Sequence, residues 1–101
     1  GIRDRYKGYT MEITDNNGIL TVVAEDKNGE YAAELQIIDD ATGFKGKPYV
    51  LLVGVEKEHR RKGLGTAMYD FVEEVIKTPI IGSVDQTTDA VKFWKKRQSS
   101  N

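Results

Sequence analysis

The residues with the most chemical promise lie together in Val55-Glu56-Lys57-Glu58-His59-Arg60-Arg61-Lys62-Gly63-Leu64-Gly65-Thr66. Glycines at 63 and 65 let the backbone approach a ligand closely, and a helix beginning here would present unpaired N–H groups at its positive end. Arg60, Arg61 and Lys62 add cationic side chains beside those donors. Each charge–dipole contact contributes about 0.3–1 kcal/mol, and several converging on one anion suit a pyrophosphate. The same residues would also make an ordinary strand-to-helix turn with a solvated basic cluster. Neither familiar nucleotide motif fits, because the dinucleotide fingerprint needs a third glycine and the nucleoside-triphosphate loop needs Gly-Lys followed by Ser or Thr.

Composition excludes several other chemistries. The chain has no cysteine, so disulfides, thiolate nucleophiles and cysteine-held metals are absent, and with His59 as its single histidine no metal site is expected. Fifteen basic residues against 16 acidic ones leave a net charge of −1, too little field to hold nucleic acid or an anionic membrane. The cations Lys92, Lys95, Lys96 and Arg97 read as a solvated helix face. No apolar run approaches the roughly 20 residues of a membrane span, and the expected location is the cytoplasm. A length of 101 residues predicts one domain, 1–101, in which residues 1–8 are read as disordered or as an artificial extension.

The elements that position the glycine-rich stretch can be read on either side of it. Upstream, Tyr9 to Ile13, Ile19 to Ala24 and Tyr31 to Ile38 read as an antiparallel meander broken at Asp15-Asn16-Asn17-Gly18 and Asp26-Lys27-Asn28-Gly29. The third strand should place Tyr31, Ala33, Leu35 and Ile37 on one face. Asp39 to Lys47 reads as an exposed connection. Tyr49 to Val55 is apolar on both parities, as in a strand covered on both faces. Downstream, Leu64, Ala67, Met68, Phe71, Val72, Val75 and Ile76 recur at helical spacing up to Thr78-Pro79. Pro79 to Val84 then reads as a strand parallel to Tyr49–Val55, followed by a helix from Thr87 or Thr88 through Arg97. The fold class is α/β, a mixed sheet of antiparallel meander plus a parallel strand-helix-strand unit.

With Arg60, Gly63 and Gly65 matching Arg/Gln-x-x-Gly-x-Gly/Ala, and Ala90-Val91-Lys92-Phe93-Trp94-Lys95-Lys96 similar to Ala-x-x-Phe-Tyr-x-Lys, the stretch from Tyr49 to Arg97 resembles the GNAT N-acetyltransferase superfamily. The resemblance implies acetyl-CoA as co-substrate, its pyrophosphate on Arg60, Arg61, Lys62, Gly63, Leu64, Gly65 and Thr66, and its pantetheine arm along Val53 to Val55. It implies an oxyanion donor at the N–H of Val53 or Gly54, with Gly54 accepting a bulge that splays two parallel strands. Trp94 would lie by the cofactor where the family often carries a proton-donating tyrosine, which an indole cannot replace. A thiol of pKa about 8.5 leaves as thiolate without much help. An acceptor amine of pKa about 10.4 is the harder problem, since its protonation at neutral pH hides about 4.6 kcal/mol. Tyr49 as a relay to water and Glu34 as the carboxylate are the candidates. His59 falls at the pyrophosphate end and reads as a surface side chain aiding phosphate binding, not as the base.

The implied activity is transfer of an acetyl group to a primary amine, of a protein or other macromolecule, by direct attack in a ternary complex. The alternative is a non-catalytic acyl-CoA-binding or protein-interaction module of the same fold. Family members usually have two early helices and two late strands, which the sequence is expected to do without. That implies an open acceptor site, or a second copy of the chain completing it as a homodimer.

Overall fold

The computed structural model describes residues 1–38, 48–80 and 95–96. Five strands, β1 (Ile2–Tyr6), β2 (Tyr9–Asn16), β3 (Ile19–Glu25), β4 (Tyr31–Ile38) and β5 (Tyr49–Val55), form one sheet in sequential order, and α1 (Leu64–Ile76) packs on one face. Among the described residues all four strand pairs are antiparallel.

The hairpins follow from residues that tolerate positive φ. Lys7 and Gly8 (φ 44° and 89°) close β1–β2, and Asn17 and Gly18 (φ 55° and 85°) close β2–β3, the signature of two-residue primed turns. The first of these corrects the view of residues 1–8 as disordered. Lys-Gly between two tyrosines makes a tight turn, and β1 pairs with β2 from Ile2 opposite Ile13 to Tyr6 opposite Tyr9. At the β3–β4 connection Asp26-Lys27-Asn28-Gly29 makes the expected tight hairpin: Gly29, at φ 78°, donates its N–H to the Asp26 carbonyl at 2.9 Å and Asp26 donates its own to the Glu30 carbonyl at 2.9 Å. Asp26 Oδ1 also accepts from the N–H groups of Asn28 (2.8 Å) and Glu30 (3.0 Å). Ala24 pairs with Ala33 but Glu25 with Tyr31, so Ala32 is an extra residue in β4.

Alternation then sorts the faces. Met11, Ile13, Leu20, Val22, Ala24, Ala33, Leu35 and Ile37 point to one side, all buried, and Leu64, Met68, Phe71 and Val72 of α1 cover them. Ala33, Leu35 and Ile37 thus share the predicted face, while Tyr31 at the strand start is exposed. The helix ends at Lys77, whose left-handed φ of 59° turns the chain before Pro79. The N–H of Ile80 then bonds to Glu73 Oε2 at 2.9 Å and its side chain returns to the core. The predicted parallel strand beyond Ile80 and the final helix lie outside the described residues, apart from Lys95 and Lys96, which are helical and exposed.

Among the described residues β5 is not covered on both faces, because Leu51, Leu52 and Val53 are 45–48% exposed. In the pairing of β5 with β4 the irregularity does not fall at Gly54; the parallel strand that a bulge at Gly54 would splay away lies outside the described residues. Gln36 pairs with Leu52 and Ile37 with Val50, so the extra residue is Leu51, while Gly54 pairs regularly with Glu34.

Candidate functional site

The phase of the β5 ladder decides which backbone groups a ligand could meet. Glu56 donates its N–H to the Ala32 carbonyl at 2.9 Å. In an antiparallel ladder successive residues point their polar groups to alternate sides. Gly54, opposite Glu34, therefore turns its N–H and C=O into β4, whereas Val53 and Val55 turn theirs to the outer side of β5. The Val55 carbonyl agrees with this phase, accepting from Arg60 Nε at 3.0 Å. Gly54 as backbone oxyanion donor is accordingly corrected: its N–H belongs to the ladder, and of the two candidates only Val53 offers an outward donor.

Past β5 the chain makes a short 3-10 turn, Lys57–His59, and then reverses through Arg60 to Gly63 into α1. Arg61 (φ 61°) and Gly63 (φ 78°) are left-handed, a conformation that turns neighbouring N–H groups toward a common side. Among the described residues no side chain caps α1. The N–H groups of Leu64, Gly65 and Thr66, in the first turn, therefore have neither an intrahelical partner nor a side-chain cap. The two glycines differ in kind. A Cβ on Gly63 would lie 2.6 Å from the Tyr6 hydroxyl, whereas one on Gly65 would meet nothing within 4 Å. The fold requires Gly63, and leaves the space at Gly65 open. These donors, with Arg61 and Lys62 beside them, fit a pyrophosphate. Arg60 commits its Nε to Val55 and so also holds the loop to β5.

His59 is not the surface side chain expected. Tyr9 Oη lies 2.8 Å from its Nδ1, the two rings meet edge to face at 5.4 Å, and its Nε2 is 3.9 Å from Asp26 Oδ2. The Asp26 carboxyl is held below its ordinary range, first by the Glu30 N–H, with partial burial opposing and the Asn28 N–H and His59 adding to it.

Glu34 and Tyr49 lie on the face opposite α1, but the sheet does not bring them together. Tyr49 pairs with Ile38 and Glu34 with Gly54. At about 3.3 Å per residue, Tyr49 stands roughly 13 Å along the strand from Val53, and a side chain perpendicular to the sheet cannot close that gap. Tyr49 is therefore not placed to relay a proton at Val53. Glu34 is better placed. Its Oε2 accepts from Gln36 Nε2 at 2.7 Å and its Oε1 from the Tyr31 hydroxyl at 3.3 Å. Burial, followed by the charge of Glu34, raises the pKa of Tyr31. Across the ladder the absent side chain of Gly54 leaves open space, since a Cβ there would meet nothing within 4 Å. Trp94 lies outside the described residues.

Sequence reasoning missed Tyr6, Tyr9, Tyr31 and Gln36. For the first two a signal existed, a Lys-Gly pair flanked by tyrosines; for the others only the register brings them to Glu34.

A meandering antiparallel sheet leading into a glycine-opened, uncapped helix start has the architecture of an acetyltransferase domain. The model of the acetyltransferase (GNAT) family matches residues 3–98, and the chain belongs to that family. The match begins within β1. No curated protein sequence matches the chain significantly. Among solved structures, an aminoglycoside acetyltransferase from an uncultured soil metagenomic sample is similar, with a TM-score of 0.63 and 20% identity. The match covers 82% of this chain and 60% of that one, so the chain spans less than two thirds of that structure.

Proposed function

We propose that the chain is an acetyl-CoA-dependent N-acetyltransferase acting on a primary amine. The observation that supports this best is the uncapped, glycine-opened start of α1 that follows, after one short turn, a strand whose Val53 and Val55 aim their backbone N–H and C=O groups outward. The pyrophosphate of acetyl-CoA would accept from the N–H groups of Leu64, Gly65 and Thr66 beside Arg61 and Lys62. The pantetheine arm would lie along the outer side of β5, as an extended ligand adds to a sheet edge.

On this reading the thioester carbonyl accepts from the Val53 N–H, which stabilises charge developing on that oxygen. The amine nitrogen attacks the carbonyl carbon, an N–C bond forms, and the C–S bond breaks to release the thiolate of coenzyme A. The proton lost by the amine passes through water to Glu34, which Tyr31 and Gln36 hold beside the open position at Gly54. Water protonates the thiolate. No covalent intermediate on the chain is needed, and with no cysteine in the sequence none can form through sulfur.

The test is thiol release from acetyl-CoA in the presence of small amines, peptides and proteins, with acetylated products identified by mass. Release with a new N-acetyl product supports the enzyme. Binding of acetyl-CoA without release or product, across all acceptors, would favour the non-catalytic acyl-CoA-binding module.

A further inference from the structure

The β1–β2 hairpin reaches the glycine-rich loop at a peptide whose orientation matters. The Tyr6 hydroxyl donates to the carbonyl of Lys62 at 2.9 Å, joining residues 56 positions apart. The Lys62–Gly63 peptide is trans, as are all peptide bonds among the described residues, so a carbonyl aimed at Tyr6 aims the Gly63 N–H the opposite way. That N–H precedes the uncapped donors of Leu64, Gly65 and Thr66 in the chain.

Glycine makes this peptide easy to turn over. A flip changes mainly ψ of Lys62 and φ of Gly63, and glycine occupies positive and negative φ about equally well. In a flipped peptide the carbonyl oxygen would replace the N–H and repel an anion. Nothing in α1 itself prevents this, because no side chain among the described residues caps the helix. Tyr6 does, by holding the carbonyl. Tyr9 steadies the same loop through His59 one turn earlier, 2.8 Å from its Nδ1.

Resting on the reading that this loop receives the cofactor's pyrophosphate, we propose that Tyr6 is a positioning residue for acetyl-CoA, locking the Lys62–Gly63 peptide with its N–H toward the phosphates. The brace is preorganisation: the loop is set before the ligand arrives, so binding does not have to order it. Tyr6 need not touch the cofactor.

The experiment compares Tyr6→Phe with the unaltered protein in three measurements. Calorimetry gives the acetyl-CoA Kd, expected to rise about tenfold, equivalent to about 1.4 kcal/mol. Carbon-13 and nitrogen-15 chemical shifts of Lys62 C=O and Gly63 N, read without ligand, should move more than those of any residue outside the loop. Thermal unfolding gives a midpoint expected to change little. A lowered midpoint with an unchanged Kd would assign Tyr6 a merely structural role and overturn the proposal, as would unmoved shifts at the peptide. If the unaltered protein binds no acetyl-CoA, the cofactor reading itself fails and takes this proposal with it. If it binds and Tyr6→Phe binds equally well, only the brace fails.

Discussion

Glu34 stands directly opposite Gly54 across the β4–β5 ladder, its carboxylate held by Gln36 at 2.7 Å and by Tyr31 at 3.3 Å. Facing cross-strand positions are about 5 Å apart at Cβ. Because position 54 carries no side chain, the space over it is open to a reactant beside a fixed carboxylate. An outward backbone donor, Val53, is one residue away. Glu34→Gln keeps the shape and removes the proton acceptor. It should lower kcat about a hundredfold and leave the acetyl-CoA Kd unchanged, with activity recovering as rising pH deprotonates the amine. Steady-state kinetics from neutral to alkaline pH provide the check, and an unchanged kcat at neutral pH would remove Glu34 from the chemistry.

The ladder phase separates two adjacent residues that sequence alone treats as equivalents. Val53→Pro removes an N–H that the β4–β5 ladder does not use, and should lower kcat about 10²–10³-fold with a modest effect on folding. Gly54→Pro removes an N–H that the ladder does use, and should lower the unfolding midpoint more than Val53→Pro does. Paired thermal melts and rate measurements would expose an error in phase as the reverse order.

The Asp26 turn predicts a pH signature. The fold lowers the carboxyl's pKa below its ordinary value of 3.8, so the ionised form is the stabilising one. Its contribution is complete above that value and is lost as pH falls through the folded-state pKa. Asp26→Asn should therefore be less stable than the unaltered protein at neutral pH, and the difference should shrink below about pH 4. Denaturant unfolding at several pH values measures it. A difference that stays constant into acid would mean that the charge is not what holds the turn.

Much of this arrangement is legible in sequence because period and turn chemistry agree. The alternation of Ala33, Leu35 and Ile37, the helical spacing of Leu64, Met68, Phe71 and Val72, and the glycines of the loop all point to the elements found. What escapes is relational. Against β4 the extra residue of β5 is Leu51 and not Gly54, since register depends on the partner strand and not on local propensity. Val53 and Gly54 differ in the direction of one N–H, which composition does not encode. Tyr6 and Lys62 are 56 residues apart and meet only when β1 joins the sheet.

Core packing offers a check that is independent of chemistry. Met68 is fully buried at the centre of the α1–sheet contact. Met68→Ala should destabilise the domain by about 2–5 kcal/mol through lost burial and a residual cavity. Urea unfolding would show it, and a loss under 1 kcal/mol would place α1 elsewhere.

The claim at the centre of the account is that the start of α1 holds acetyl-CoA, and Gly65 tests it most directly. A Cβ at Gly65 meets no protein atom within 4 Å, so the fold itself tolerates a side chain there. A helix also favours valine slightly over glycine. Calorimetric titration of Gly65→Val with acetyl-CoA, alongside its thermal melt, should give an unfolding midpoint equal to or above that of the unaltered protein and a Kd weakened at least tenfold. Equal affinity in a normally folded Gly65→Val would contradict the account.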